Sequence, residues 1–219
     1  MYSRQFFLTH LDANQFTHIN YGNNILCPKC VVFRGIILYK TKAYTRNLIG
    51  LFSIVDGECA MSDAYADLSF QYPDDDVEDP FGGTLNQLRK LKQRHAHVRT
   101  MMVVGGWAYS EAFSDAAHTP EAREKLASSC VSMLREYEFN GISISWQFPV
   151  EGGDDDVIHR PTDKQSYTLL LQRFREEMNG DEDLSVAVTA DKTMFSNLEL
   201  SSIGVIVSWM DVLSIDYSM

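Results

Sequence analysis

The sequence has few cysteines, few basic residues and no long apolar run. Four cysteines among 219 residues are too few for a small protein built around disulfides. No apolar stretch reaches the roughly 18 residues that a membrane-spanning helix requires, so no membrane partner is expected. The first six residues include no long apolar segment, so we expect no secretory signal in this chain.

Basic side chains are outnumbered by acidic ones. The chain has 19 Lys and Arg against 30 Asp and Glu, which gives a formal net charge of −11 at pH 7. Such a surface repels phosphate backbones, so no nucleic-acid partner is expected, whereas a neutral substrate is compatible with it. The hydrophobic content of 45% excludes wholesale disorder, and the length predicts one domain or two small ones.

From about residue 84 onward, strand-like and helix-like segments alternate. Thr119 followed by Pro120 predicts a helix start, and Thr162 with Gln165 predicts a capping box before another helix. Strands are expected at 98–104, 141–148, 184–190 and 212–215. The repeated strand–helix–strand spacing favours an α/β fold with a parallel sheet, either open and doubly wound or closed into a barrel.

Residues 23–50 differ in composition from the rest of the chain. This segment contains five basic residues and no acidic one, whereas the remainder holds 14 basic and 30 acidic residues. Its two apolar runs, 31–33 and 36–39, are too hydrophobic for an ordinary surface loop. The segment is therefore predicted to be an insertion.

Three local sequences, in this order and spacing, carry a family resemblance. Residues 103–107, Val-Val-Gly-Gly-Trp, resemble a Ser-x-Gly-Gly-Trp motif that ends the third strand of a barrel. Residues 139–149 resemble Phe-Asp-Gly-x-Asp-x-Asp-Trp-Glu-Tyr-Pro on the fourth strand. Residues 11–22 continued by 51–67 resemble the second strand and its loop. By these motifs the chain resembles family 18 of the glycoside hydrolases, the chitinases.

The resemblance implies a TIM (β/α)₈ barrel of which this chain holds strands two to six of eight. The resemblance covers most of the chain except residues 23–50, and residues 1–219 are expected to form a single, incomplete domain. Residues 16–22 read directly into 51–58 once 23–50 is removed, so the insertion is predicted to split strand two. A central strand tolerates an insertion less readily than a loop does. We therefore hypothesise that 23–50 is unspliced intron sequence or a recent insertion.

The resemblance also implies a changed catalytic site. In the family, the Glu of the fourth-strand motif protonates the leaving oxygen, and the Asp two residues before it orients the substrate's acetamide, which is the nucleophile. The corresponding positions here are Gln147 and Ser145, and the motif's two earlier Asp positions are Ser143 and Asn140. The loss of general acid catalysis alone is typically worth about 10²–10⁴ in rate. The pattern predicts a site without hydrolytic function, and the family implies neither a metal nor an organic cofactor.

Aromatic side chains near these motifs are the predicted binding surface. Trp107, Tyr109, Trp146 and Phe148 offer flat faces that suit the rings of chitin or its oligosaccharides. Trp146 alternates with polar neighbours, so packing in the core is an equal alternative for it. Tyr217 lies one position from the place of a family tyrosine that contacts the acetamide.

Three functions remain open from the sequence. The first is a degenerate chitinase-like protein without hydrolase activity that binds chitin. The second is an active chitinase that uses another acid, such as Glu151 or Asp216. The third is a truncated gene product that does not fold. The family implies an extracellular location. The Asp runs 74–76 and 154–156 are expected to be solvated loops rather than calcium sites.

Overall fold

Parallel strands connected by helices form the centre of the molecule, as the alternating pattern predicts. The structure is a computed structural model that describes residues 18–21, 31–33, 36–38 and 51–213, except 77 and 81. The strands are β1 His18–Tyr21, β2 Val31–Phe33, β3 Ile36–Leu38, β4 Leu51–Val55, β5 Glu58–Met61, β6 Arg99–Gly105, β7 Gly141–Ser145, β8 Asp183–Thr189 and β9 Trp209–Leu213. The helices are α1 Gly83–Arg94, α2 Phe113–His118, α3 Pro120–Glu136, α4 Asp163–Glu177, α5 Lys192–Ser196 and α6 Leu200–Ile206.

Strands β6, β7, β8 and β9 lie side by side in parallel. Helices α2 and α3 connect β6 to β7, α4 connects β7 to β8, and α5 and α6 connect β8 to β9. This order is that of a barrel in which each strand is followed by helix. Together with the split strand described next, the sheet supplies five parallel strand positions, which confirms a partial barrel.

One strand position is shared by two separate segments of the chain. His18–Tyr21 pairs with Arg99–Met102, and Leu51–Phe52 pairs with Val103–Val104, both in parallel. Strands β1 and β4 therefore lie end to end along the same edge of β6, which confirms that this strand is split at the place where the sequence predicts the insertion. Between them, β2 and β3 pair as an antiparallel hairpin, and β3 pairs with β1. The remainder of 23–50 lies outside the described residues.

Alternate residues of the parallel strands face opposite sides of the sheet. Met102, Val104, Ile142 and Ile144 belong to one buried cluster with the apolar faces of α1, α3 and α4. Their neighbours, such as Val103 and Ser143, are equally buried but lie outside this cluster, on the inner face of the barrel. Two layers of side chains thus cover the sheet, and the inner one carries Ser143 and Ser145.

The helix boundaries follow local sequence signals in part. The side chain of Thr119 accepts a hydrogen bond from the Ala122 N–H at 3.2 Å, and Pro120 begins α3, as predicted. The capping box predicted at Thr162 is wrong, because the Thr162 side chain caps nothing. The Asp163 carboxylate accepts from the Arg160 N–H at 2.7 Å, so this backbone N–H in the loop before α4 has a partner.

A disulfide ties the sheet to a helix. Cys59 in β5 and Cys130 in α3 are bonded, with their Cα atoms 5.1 Å apart. The Cys59 N–H also donates to the Ser129 hydroxyl at 3.0 Å. Strand β5, which forms a hairpin with β4, is therefore held against α3. Across the part of the chain that the structure describes, no helix is long and apolar enough to cross a membrane.

Candidate active site

The changed motif occupies β7 and the residues directly after it. Ser143 and Ser145 face the inner side of the barrel, and Gln147 follows just beyond the carboxyl end of the strand. The three side chains are buried, with exposed fractions of 0%, 3% and 9%. In a barrel of this kind the chemistry is carried out at the carboxyl ends of the strands. Ser145 and Gln147 lie at that end.

Gln147 is held on both its backbone and its side chain. Its N–H donates to the Ser110 hydroxyl at 2.8 Å, and Ser110 donates to the Gly106 carbonyl at 2.8 Å. Its amide Nε2 donates to the Ser145 hydroxyl at 3.1 Å. An amide has no acidic proton to transfer, so this fixed side chain can donate a hydrogen bond but cannot act as a general acid.

Ser143 lies in a buried row across the inner face. It is in register with Val103 on β6 and with Ser185 on β8. The hydroxyls of Ser143 and Ser185 are buried and have no hydrogen-bond partner. A carboxylate at either place would need donors that Val103 cannot provide, so the row is compatible with neutral side chains and not with charge.

Asn140 lies at the opposite end of the strand from Gln147. Seven residues separate them, which at about 3.3 Å per residue is on the order of 20 Å. The Asn140 Oδ1 accepts from the Thr100 N–H at 2.9 Å and fastens β7 to β6. Asn140 therefore lies at the amino end of β7, away from Gln147. An amide preserves the acceptor that a carboxylate would supply, so the exchange is structurally conservative.

Among the aromatic residues predicted to bind sugar, one lies in the core and three are at least partly accessible to solvent. Trp146 is 1% exposed and stacks on Phe113 with ring centroids 5.4 Å apart, while Tyr167 meets it edge-on. Of its two alternatives, the core position is the one that the structure shows, because even-numbered residues of β7 face the helices. Trp107 is 51% exposed, and Tyr109 and Phe148 are half-buried. Tyr217 lies outside the described residues.

A surface pocket of about 190 Å³ lies beside Trp107. It is enclosed by the turn after β6 and the loop after β7, at the same end as Gln147. Its lining residues are Trp107, Ala108, Glu111, Asp154, Asp156 and Val157. The sequence pattern predicts solvated loop charge at 154–156 and does not indicate that Asp154 and Asp156 lie beside an aromatic ring. Asp154 and Asp156 are far from Trp107 in the sequence, so no local pattern indicates that they lie close to it.

Of the two carboxylates considered as replacement acids, only one lies within the described residues. Glu151 is exposed, and its Oε1 accepts from the Asn197 Nδ2 at 2.9 Å. Asp216 lies outside the described residues.

Asp75 in the 74–76 run accepts hydrogen bonds from Asn86, Gln87 and Lys90, so this loop is attached to α1 rather than free in solvent. Within the described ranges no three metal-ligating side chains lie close enough to hold an ion.

Comparisons with known proteins agree with this architecture. The sequence profile of "Glycosyl hydrolases family 18" matches residues 1–219. The chain is 34% identical to chitinase A1 of Niallia circulans, covering 99% of this chain and 32% of the relative. It is 30% identical to endochitinase 1 of Metarhizium anisopliae, covering 74% of this chain and 39% of the relative. The chain thus spans about a third of the length of these curated relatives.

Solved structures have the same fold. Chitinase ChiA74 from Bacillus thuringiensis matches with a TM-score of 0.78 and 27% identity, covering 97% of this chain and 37% of the other. The catalytic domain of chitinase B from Arthrobacter TAD20 matches with a TM-score of 0.78 and 22% identity, covering 97% and 55%. The chain belongs to glycosyl hydrolase family 18, and the resemblance drawn from its motifs is confirmed.

Proposed function

We propose that this protein is a chitin-binding member of its family that does not hydrolyse chitin. The proposal rests on the side chain at position 147. This side chain is a buried amide that donates to the Ser145 hydroxyl and has no carboxyl proton. Without a general acid the leaving oxygen must depart unprotonated, which slows the reaction by about 10²–10⁴. At position 145 a hydroxyl replaces the longer side chain that would orient an acetamide.

Binding is supported by accessible aromatic side chains at the same end of the barrel. Trp107 presents half of its surface to solvent beside the pocket, and Tyr109, two residues further on, and Phe148, next to Gln147, are partly accessible. Aromatic faces stack on the apolar faces of pyranose rings without requiring any acid. The ligand that we propose is chitin or its oligosaccharides.

We further propose an extracellular location. A disulfide between Cys59 and Cys130 is stable in oxidising compartments and is rare in the cytosol. The relatives named above are called chitinases, whose polymeric substrate lies outside the cell that degrades it.

Thermal unfolding of the full chain, with and without chitin hexasaccharide, tests the binding proposal. A single cooperative transition that rises with ligand concentration is expected, since a ligand that binds only the folded state stabilises it. Trp107→Ala should abolish the rise, whereas Trp107→Phe should retain part of it. A transition that does not respond to the hexasaccharide would contradict binding.

Product analysis of the same mixtures tests the absence of hydrolysis. We expect the hexasaccharide to remain intact over a long incubation at several pH values. Shortened oligosaccharides would instead support the active alternative. In that case Glu151→Gln, the substitution at the described replacement acid, should remove the activity.

A further inference from the structure

The chain contains two Asn-Gly pairs, Asn140–Gly141 and Asn179–Gly180. Glycine has no side chain, so its backbone nitrogen can approach the side-chain carbonyl carbon of the preceding asparagine more closely than the nitrogen of another residue can. Attack on that carbon also requires a backbone that is free to change conformation and an asparagine side chain that is accessible to water. The structure gives the two pairs opposite surroundings.

Sheet contacts fix the first pair. The Asn140 Oδ1 accepts from the Thr100 N–H at 2.9 Å, and the Asn140 N–H donates to the Thr100 carbonyl at 2.7 Å. Gly141 begins β7, is buried, and pairs with strands on both sides. A Cβ atom added to Gly141 would lie 2.3 Å from the Asp183 carbonyl oxygen. The Gly141 nitrogen therefore cannot turn toward the Asn140 side chain while the sheet is intact.

The second pair lies in the turn between α4 and β8, and both of its residues are exposed. Among the described residues, no group accepts a hydrogen bond from the Gly180 N–H. A Cβ atom added to Gly180 would meet nothing within 4 Å, so the backbone there has room to move. The Asn179 Nδ2 makes one long hydrogen bond, to the Glu182 Oε1 at 3.3 Å. Both reacting groups are therefore available.

We propose that Asn179 is a site of spontaneous deamidation, at which the folded chain converts an amide into an acid. The Gly180 nitrogen bonds to the side-chain carbonyl carbon of Asn179, the bond from that carbon to Nδ2 breaks, and ammonia leaves with the proton of the Gly180 N–H. Water then opens the resulting succinimide at either of its carbonyl carbons, which gives aspartate or isoaspartate. The reaction needs only solvent and is independent of the proposed sugar binding.

The turn that changes is an attachment point for two other elements. Arg135 on α3 donates to the Glu182 Oε1 at 3.0 Å, and Arg99 on β6 donates to the Asp181 carbonyl at 2.7 Å. A carboxylate at position 179 would repel Glu182, and isoaspartate would also add a methylene to the main chain of the turn. Both products weaken these surface attachments, so the modified protein should melt at a slightly lower temperature.

Peptide mass spectrometry of the full chain after incubation in mildly alkaline buffer tests the proposal. Digestion at acidic pH keeps the reaction slow during handling, and an isoaspartate-specific methyltransferase identifies the second product. Modification at Asn179 should be more than about tenfold faster than at Asn140, because the buried pair reacts only through rare local opening. In urea both sites should react, which shows that the Asn140 sequence is competent when it is unfolded.

Two variants separate the chemistry from its consequence. Gly180→Ala hinders approach of the nitrogen and should suppress the modification, and the open space at this position allows the methyl group. Asn179→Asp mimics the aspartate product and should melt at or just above the temperature of the aged protein. An Asn179 that stays intact in the folded chain while it reacts in urea would overturn the inference. Equal rates at the two asparagines of the folded chain would overturn it as well.

Discussion

At the scale of single residues, Gln147 has the length of a glutamate but lacks its proton. Its amide is already engaged with the hydroxyl of Ser145, and its backbone is engaged with Ser110. Under the proposed function, the site differs from that of an active chitinase at linked positions, since the side chain that would orient the acetamide is replaced as well as the acid. We therefore expect that a single reversal does not restore hydrolysis.

Gln147→Glu alone is expected to leave chitin hydrolysis undetectable above background. The new acid would act without an acetamide-orienting carboxylate at Ser145, and Ser143 lies in a row without donors for charge. Release of reducing ends from chitin oligosaccharides measures this, with circular dichroism as the control for folding. Substantial turnover by the single variant would refute this description of the site.

Asp67 makes the stability of the protein depend on pH. Burial raises the pKa of its carboxyl from 3.8 to about 7. The folded state therefore holds a proton that the unfolded state has released, and stability falls as pH rises between these values. Roughly three pH units at about 1.4 kcal/mol each set an upper bound of about 4 kcal/mol. Asp67→Asn should flatten this fall and melt above the parent protein at pH 8.

Melting temperatures at half-unit steps from pH 4 to pH 8 measure that effect. Asp155→Asn, at an exposed position, is the matched control and should follow the parent curve. A curve for Asp67→Asn that runs parallel to the parent curve would show that Asp67 does not hold the proton.

At the scale of secondary-structure elements, side chains fasten neighbouring strands at their amino ends. The Asn140 Oδ1 accepts from the Thr100 N–H, and Arg99 Nε donates to the Asp183 Oδ2 at 2.7 Å. These contacts connect β6, β7 and β8 on the side of the barrel remote from the pocket. Their loss should affect stability and not sugar binding.

Asn140→Ala should lower the free energy of unfolding by about 1–2 kcal/mol, because the Thr100 N–H loses its side-chain acceptor. Asn140→Asp keeps an acceptor at the same place and should cost much less. Urea unfolding monitored by fluorescence measures both. Equal losses from the two variants would show that the side-chain oxygen is not what matters.

The sequence predicted the elements better than their ends. Thr119 and Pro120 correctly marked the start of α3, because capping is a local interaction within one turn. Thr162 failed as a cap because its own backbone is helical, with φ −81° and ψ −9°, whereas an N-cap residue is usually extended. Asp163, one residue later, accepts from the Arg160 N–H and from the Ser114 hydroxyl, each at 2.7 Å. That second contact joins α4 to α2 across 49 residues, so no local pattern contains it.

At the scale of the whole molecule, the disulfide closes a long loop. Cys59 and Cys130 are separated by 71 residues, and the bond joins β5 to α3. A cross-link over such a span restricts the unfolded chain and is worth about 4 kcal/mol in the chain-entropy description. It connects the segment after the split strand to the following strand–helix unit.

The double variant Cys59→Ser, Cys130→Ser should lose about 2–4 kcal/mol of stability. Dithiothreitol should lower the melting temperature of the parent protein toward that of the variant and should leave the variant unchanged. If the reductant shifts both proteins equally, the bond between these two cysteines is not the source of the stabilisation.

By itself the sequence determined the family, the parallel α/β architecture, the insertion that splits a strand and the absence of an acid at position 147. Each of these depends on residue identity and order along the chain, which motifs and periodicity preserve. Tertiary structure decided which side chains meet. It placed Trp146 in the core, paired the Asn140 side chain with the Thr100 N–H on the neighbouring strand, and brought Asp154 and Asp156 beside Trp107. Those outcomes depend on strand register and on how loops fold over the sheet, and both are set by contacts between residues far apart in the chain.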